Sequence, residues 1–347
     1  MTNTSKSKIS RYHRYWDFLN RAGFDGFLLG IIGMIVLAYI WPTPGLVEGP
    51  FSLSAIANYG ISLIFFFYGL RLSPAKLKAG LSNWHLHLLI HFSTFIIFPL
   101  VALFLKPWFS EGEYELLWLG TFYLAALPST VSSSVVMVSI AGGNLPSAIF
   151  NASVSSLIGV FITPLWMGLV LTATSGDYEL WVVIGKLTIQ VLLPVLLGIL
   201  LISKLGYFAE KHRQSLRYFD QAIIFLIVYT AFCESFAGRM FQAFDILDIM
   251  VLGILMIVFF FLVYILIHLI SRLLNFNRED RITALFCGSK KSLVQGTVMS
   301  KVLFPGSPML GIILLPIMLY HALQLIIVSI IAQSMARRQI SEIKDVK

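Results

Sequence analysis

Residues 251–270 (VLGILMIVFFFLVYILIHLI) form one apolar run without any Asp, Glu, Lys or Arg. A run of about 20 apolar residues is long enough to cross the ~30 Å hydrocarbon core of a bilayer as an α-helix. The run does not alternate apolar and polar side chains, as a strand of a membrane barrel would. The whole chain is 58% hydrophobic and 12% charged, whereas soluble proteins carry about 25% charged residues. The sequence therefore predicts an all-α integral membrane protein.

Ten segments of the 347-residue chain are long and apolar enough to be transmembrane helices. They are predicted at 24–41, 51–71, 84–105, 116–140, 145–173, 179–202, 218–237, 247–271, 280–303 and 308–335. The division of 116–173 into two helices rests on the turn-forming residues of AGGNLP at 141–146. The remaining ends are an amino-terminal segment, 1–23, and a tail, 336–347.

Basic residues indicate how these helices are oriented, because Lys and Arg accumulate in short cytoplasmic loops. With ten helices and both termini in the cytoplasm, 19 of the 25 basic residues lie on one side of the membrane. The opposite side receives acidic residues such as the EGEYE run at 111–115. The net charge of +8 is thus mainly an orientation signal, and no nucleic-acid partner is predicted. The basic amino terminus leads into a long apolar run without a cleavage site, which predicts an uncleaved first helix.

The predicted helices divide into two halves of five, at 24–173 and 179–335. Because five is odd, the second half runs in the opposite direction through the membrane. Inverted repeats of this kind are typical of secondary transporters, which bind substrate and ions near the midplane at discontinuous helices in matching positions of the two halves. The most polar interruptions fall in the fourth and the ninth predicted helix, which are such matching positions.

The fourth predicted helix contains Pro128, which removes a backbone donor and breaks a helix. Hydroxyl side chains surround the break, namely Ser129, Thr130, Ser132, Ser133, Ser134 and Ser139. Such hydroxyls can simply satisfy freed backbone groups. A break at the midplane also exposes helix ends, whose amides attract anions and whose carbonyls attract cations. We favour the second interpretation.

The ninth predicted helix contains two adjacent lysines, Lys290 and Lys291, in FCGSKKSLVQG at 286–296. A lysine at the centre of a membrane helix costs about 2.5–3.5 kcal/mol. Gly288 and the flanking Ser289 and Ser292 indicate that the helix is interrupted here. In one interpretation both lysines pair with backbone carbonyls or with a buried acid such as Glu234. In the other, which we favour, at least one faces a water-filled cleft and meets an anion.

Other polar residues inside the predicted helices are candidates for the substrate site, the cleft or ion coupling. Asn151 lies in the fifth helix, where a buried amide needs several partners. Lys186 and Gln190, four residues apart in the sixth helix, can face a cleft or the membrane interface. Glu234 in the seventh helix is a candidate for proton coupling or for a lysine partner.

Metal, cofactor and enzyme sites are not predicted. His87 and His91 share a helix face, but no carboxylate or cysteine accompanies them, so a position at the membrane interface is favoured over a metal site. Cys233 and Cys287 lie within predicted helices and are interpreted as small apolar fillers. No nucleophile elbow, P-loop, zinc-protease or dinucleotide pattern is present. A channel and a non-transporting membrane regulator remain as alternatives to a transporter.

Three segments together resemble the bile acid:sodium symporter family, within the SBF-like branch that contains bacterial membrane proteins and the seventh human member of solute carrier family 10. They are 65-FFFYGLRLSP-74, 127-LPSTVSSSVVMVSIAGGNLPSAIFNASVSS-156 and 287-CGSKKSLVQG-296. The resemblance covers nearly the whole chain. It implies a panel domain of helices near 24–71 and 179–237, and a core domain of helices near 84–173 and 247–335. Helices four and nine would be broken and would cross in the core.

The same resemblance implies transport of an organic anion, bile-acid-like or a small carboxylate, by alternating access between panel and core. It also implies a bacterial cytoplasmic (inner) membrane. In sodium-coupled relatives, hydroxyls, a glutamate and a glutamine bind the ion. Aligned on the two breaks, two of these ligands would fall on Ser133 and Ser134. The other positions hold residues that are poor ligands for sodium, namely Ala148, Ala152, Phe286 and Lys290.

This cavity would lose a carboxylate and gain ammonium groups, which repel a sodium ion by several kcal/mol at a partly buried site. The hypothesis is therefore that a lysine ammonium replaces sodium, braces the crossing of helices four and nine, and weakens or removes sodium coupling. The other lysine would favour a bound anion, held near the helix ends by Ser133, Ser134 and Asn151. Which lysine has which role is left open by the sequence, as is the choice between a proton-coupled carrier and a uniporter.

Overall fold

The computed structural model describes residues 26–71, 83–109, 114–175, 185 and 188–345. Throughout these residues the regular structure is helical, without a β-strand. The helices are α1 (Gly26–Ile40), α2 (Leu53–Leu70), α3 (Trp84–Phe104), α4 (Tyr114–Ala126), α5 (Ser132–Ala141), α6 (Leu145–Ser175), α7 (Thr188–Leu200), α8 (Ile202–Lys211), α9 (Arg213–Ala237), α10 (Ile246–Leu273), α11 (Arg278–Gly288), α12 (Leu293–Leu303) and α13 (Leu310–Asp345).

Six of the described helices are long and apolar enough to cross a membrane, namely α2, α3, α6, α9, α10 and α13. A seventh crossing is available if α7 and α8, which meet at a bend of 97°, are counted as one broken span. The prediction of an all-helical integral membrane protein is therefore confirmed. The count of ten spans stays a prediction, because α1 has 15 residues and the fourth and ninth predicted spans are each two shorter helices.

Several predicted boundaries differ from the structure. Part of the sixth predicted span and the segment 1–23 lie outside the described residues. The link predicted after residue 202 is helical, because α8 and the start of α9 fill it. The last helix continues past the predicted end at 335 as far as Asp345. The turn at 141–146 is present, because Gly142 adopts the left-handed conformation (φ 73°) that ends α5 before α6 begins.

The described helices pack in two groups. In the first, α9 contacts α1 and α2, and α2 contacts α7 and α8. In the second, α13 contacts α4, α5, α10 and α12, while α11 contacts α3, α5, α6 and α10. Larger contacts between the groups run from α9 to α12 and α13. Pro128, Lys290 and Lys291 lie in the second group, and Glu234 lies on α9 at the contact between the groups.

Close packing within the first group depends on small residues. A Cβ atom at Gly69 of α2 would overlap the backbone oxygen of Val195 in α7. The absence of a side chain therefore lets the two helix backbones touch, which is a common device in membrane helix packing. An ion pair between Arg71 and Asp220, 2.8 Å apart, joins the end of α2 to α9.

Candidate functional site

Two broken helices meet at the centre of the second group. Helix α4 ends at Ala126, two residues before Pro128, which lacks an N–H group and disfavours helical backbone at the preceding residue. Helix α11 ends at Gly288, and α12 begins only at Leu293. The Ser292 backbone N–H donates to the Pro128 oxygen (2.9 Å), and Ser129 Oγ donates to the Cys287 oxygen (2.6 Å). The two breaks are therefore in direct contact.

The Lys291 ammonium group is enclosed by backbone oxygens. It donates to the carbonyl oxygens of Thr94 (2.7 Å), Ala125 (2.7 Å) and Leu127 (2.8 Å). Its nitrogen also lies 4.1 Å from the centre of the Phe98 ring, which attracts a cation. Because an ammonium group has three donors, all three are used. Lys291 is fully buried, so this cage isolates it from water and lipid.

Each oxygen of this cage is available because the local helix is irregular. The Phe98 N–H that would bond the Thr94 oxygen in a regular α-helix donates instead to Ser93, and the next residue is Pro99, which has no N–H. The Ser129 N–H that would bond the Ala125 oxygen donates to Ser155 Oγ (3.0 Å). The Leu127 oxygen lies in the break itself. Three carbonyl oxygens without a helical N–H donor therefore surround one ammonium group.

The Lys290 ammonium group has a different environment. It donates to Ser133 Oγ (2.7 Å), its one hydrogen bond to the described part of the chain. The Ser133 hydroxyl donates to Thr130 Oγ1 (3.0 Å), which shares a hydrogen bond with Ser134 Oγ (2.9 Å). Lys290 is also fully buried, and two of its three donors remain for a further acceptor.

The Lys290 ammonium group lies at the amino-terminal end of α5. The residue that precedes the helix, Val131, provides no side-chain acceptor for the first-turn N–H groups. These N–H groups and the helix dipole make this end attractive to an anion. The Lys290 ammonium group and the positive end of the α5 dipole therefore lie next to each other. Neither Lys290 nor Lys291 forms an ion pair with a described carboxylate.

Residues of α13 that the sequence reasoning missed stabilise the second break, Ser289–Ser292, which separates α11 from α12. Gln324 accepts from the Lys291 N–H (3.0 Å) and donates to the Lys291 oxygen (2.9 Å), and its amide also contacts His321 Nδ1 (3.0 Å). Tyr320 donates to the Ser289 oxygen (2.7 Å). The signal was the polar cluster YHALQ at 320–324 inside an apolar helix.

The predicted serines of the second break have structural partners. Ser289 Oγ donates to the Leu285 oxygen (2.6 Å), within the last turn of α11. Ser292 caps α12, because its side chain accepts from the Gln295 N–H (3.3 Å). A Cβ atom at Gly288 would lie 3.0 Å from Ile267 Cδ1, so a small residue fits this position.

Asn151 lies in a different polar cluster from the lysines. Its amide donates to Ser147 (2.8 Å) and contacts His87 Nδ1 (2.8 Å). Asn151 is fully buried, and its Oδ1 atom has no hydrogen-bond partner among the described residues. His91 on the next turn of α3 also lacks a described partner for both ring nitrogens. No set of three His, Cys, Asp or Glu side chains suited to a metal ion occurs within the described ranges.

The remaining predicted residues are spread over other helices. Gln190 lies in a π-helical turn at the start of α7, where its backbone oxygen accepts from Ser62 Oγ (3.2 Å). Lys186 lies outside the described residues. Glu234 lies 3.5 Å from Lys301 on α12, a lysine that the sequence reasoning passed over. The positions aligned with missing sodium ligands, Ala148, Ala152 and Phe286, are fully buried.

The sequence is similar to transporters over nearly its whole length. The SBF-like CPA transporter family matches residues 25–337. The uncharacterized protein PA2026 of Pseudomonas aeruginosa is 41% identical over 315 residues, which is 91% of this chain and 94% of that protein. YfeH of Escherichia coli is 35% identical over 314 residues, 90% of this chain and 93% of YfeH.

A vertebrate relative, the sodium/bile acid cotransporter 7 of Mus musculus, is 28% identical over 332 residues, 95% of this chain and 97% of the mouse protein. The resemblance seen in the sequence motifs is therefore confirmed. The relatives belong to a family of transporters rather than of enzymes. This chain is a member of the SBF-like CPA transporter family.

Proposed function

We propose that this protein is a secondary transporter that moves an organic anion, bile-acid-like or a small carboxylate, across the bacterial cytoplasmic membrane. The observation that carries the proposal is a pair of buried lysines, Lys290 and Lys291, at the contact of two broken helices, without a described acidic partner. Charged side chains inside a membrane protein usually mark a substrate or ion pathway. Carbonyl oxygens satisfy Lys291, whereas Lys290 makes one hydrogen bond to the described residues and keeps two donors, so an anionic substrate is favoured.

The proposed architecture is ten helices in two inverted repeats, 24–173 and 179–335, with both termini in the cytoplasm. The panel would comprise α1, α2, α7 and α9, and the core would comprise α3 to α6 and α10 to α13. The two packing groups support this division. The breaks at Pro128 and at Ser289–Ser292 support it further, because they occupy equivalent places in the two halves. Alternating access would move the panel against the core.

In this proposal Lys291 takes the place of a coupling cation. Three carbonyl oxygens at 2.7–2.8 Å surround its ammonium group, as hard oxygen ligands would surround a metal ion. A tethered ammonium cannot leave with the substrate, so it braces α3, α4 and the second break without contributing an ion to the transport cycle. Sodium coupling would therefore be weak or absent.

Lys290 is the proposed anion-binding residue. Its two remaining donors and the first-turn amides of α5, which have no side-chain cap, are complementary to a carboxylate. The hydroxyls of Thr130, Ser133 and Ser134 would orient the lysine and supply further donors. Asn151 is left out of this anion site, because its amide is engaged with His87 and Ser147.

Flux through proteoliposomes tests this proposal. An outward gradient of unlabelled glycocholate or succinate is expected to drive accumulation of the same labelled anion in potassium salts without sodium. The physical reason is that the substrate gradient alone supplies the driving force when no metal ion is coupled. Protein-free liposomes are the control for leakage. No protein-dependent flux of either carboxylate, with or without sodium, would contradict the proposal.

A further inference from the structure

An ion pair joins the two helix groups at one end of the bundle. Lys301 Nζ on α12 lies 3.5 Å from Glu234 Oε1 on α9 and 3.4 Å from Ser54 Oγ on α2. Lys301 and Glu234 lie near the carboxyl ends of their helices, and Ser54 lies at the amino end of α2. The Lys301 side chain is 3% exposed and that of Glu234 is 23% exposed.

The contacts of Lys301 are looser than those of Lys291. Both are at the upper limit of hydrogen-bond distance, whereas the three contacts of Lys291 measure 2.7–2.8 Å. Glu234 Oε2 and Thr297 Oγ1, one helical turn before Lys301, have no hydrogen-bond partner within the described ranges. A buried pair with such geometry recovers little of its desolvation cost, so it is weak evidence of a contribution to stability.

The position of the pair links it to the broken helix. Helix α12 begins directly after the break Ser289–Ser292, which carries Lys290 and Lys291, so a shift of α12 moves both the break and Lys301. We propose that Lys301 and Glu234 form a gate, which holds one entrance between α9 and α12 closed and opens when the pair separates. This inference rests on the proposed alternating access of panel and core. Ser54 acts as a second, weaker contact of the gate.

A second ion pair provides a matched control. Arg71 and Asp220, 2.8 Å apart, join the other ends of the same helices, α2 and α9. Both of these helices belong to the first packing group. This pair therefore holds one group together and does not bridge the two groups, so breaking it is not expected to open the entrance.

Cysteine accessibility measures the gate directly. Thr297→Cys places a reporter four residues before Lys301, on the same helix face, at a buried hydroxyl without a hydrogen bond to the described residues. The background carries Cys233→Ala and Cys287→Ala, which remove the two native thiols. The reporter is labelled in proteoliposomes with a charged, membrane-impermeant methanethiosulfonate, added to either side.

Slow labelling is expected when the gate is intact. Glu234→Gln and Lys301→Gln are each expected to raise the labelling rate about tenfold or more from one side, because the closed state loses its charge pair. Asp220→Asn is expected to leave the rate unchanged. An unchanged rate in both glutamine variants, or an equal increase in Asp220→Asn, would overturn the proposal.

Milder variants keep the test decisive if a glutamine variant does not fold. Glu234→Asp retains the charge and shortens the side chain, and Ser54→Ala removes only the weaker contact. Both variants are expected to increase the labelling rate, by less than the glutamine variants do. If neither variant increases the rate, the gate is overturned. The labelling requires no substrate, so it is separate from the flux assay. A working gate without any anion flux would refute the proposed function and leave the gate standing.

Discussion

Replacing Lys291 with alanine is expected to lower the free energy of unfolding by about 3–5 kcal/mol. The change leaves the carbonyl oxygens of Thr94, Ala125 and Leu127 without a donor inside the protein. An unsatisfied buried acceptor costs about 1–3 kcal/mol, and the removed methylene groups leave a cavity next to Phe98. These terms act at the contact of three helices, so the effect is large for a single residue.

Thermal denaturation of the purified protein in detergent measures this loss. The melting temperature of Lys291→Ala is expected to fall by several degrees or more relative to the unsubstituted protein. Lys204→Ala, an exposed lysine on α8, is the matched control and is expected to change little. Equal melting temperatures for the two variants would show that the carbonyl cage contributes nothing to stability. This result would contradict the proposed role of Lys291 in bracing the helices.

Replacing Lys290 with glutamine is expected to reduce anion uptake by about 10- to 100-fold. A hydrogen bond to a charged group contributes about 1.5–3 kcal/mol, and each 1.4 kcal/mol corresponds to a factor of ten in affinity. Lys290 makes one described hydrogen bond within the protein, to Ser133. Loss of the Lys290 ammonium group is therefore expected to weaken anion binding more than it lowers the stability of the fold.

Initial uptake rates of labelled glycocholate and succinate in proteoliposomes measure this effect. Lys290→Arg retains a positive charge and is expected to keep part of the activity, which separates charge from shape. Lys204→Gln serves as the surface control. Undiminished uptake in Lys290→Gln, with protein of normal melting temperature, would remove Lys290 from the anion site. The two substitutions are therefore expected to have different effects: Lys291→Ala lowers mainly the stability, and Lys290→Gln lowers mainly the transport rate.

The location of the site could be predicted from the sequence because membrane burial makes charge and helix breaks conspicuous. Lys290 and Lys291 are costly in lipid, and Pro128 breaks a helix. They mark the two interruptions that the structure brings into contact. The different roles of the two lysines could not be predicted. On a regular helix they would point about 100° apart, but the break changes this relation.

The acceptors around Lys291 also could not be predicted from the sequence. The free oxygen of Thr94 arises from a π-helical turn at Ser93–Ile97 followed by Pro99, and the composition of α3 does not reveal that turn. Likewise, Lys301 lies near the end of a predicted helix, where lysines usually reach the membrane interface. Its contact with Glu234 depends on how α9 and α12 pack, which hydropathy alone does not specify.

Thermal stability against sodium concentration is the most direct test of the claim that a lysine ammonium has replaced the coupling cation. A ligand that binds only the folded state raises the melting temperature. Lys291→Ala is the comparison variant, because removal of the ammonium group vacates the buried carbonyl cage, which is then expected to bind added sodium. For the unsubstituted protein, identical melting temperatures in sodium and potassium chloride at equal ionic strength are predicted. A sodium-specific increase that is absent with potassium would contradict the replacement of sodium by a lysine ammonium, because it would show that a sodium site persists beside the lysines.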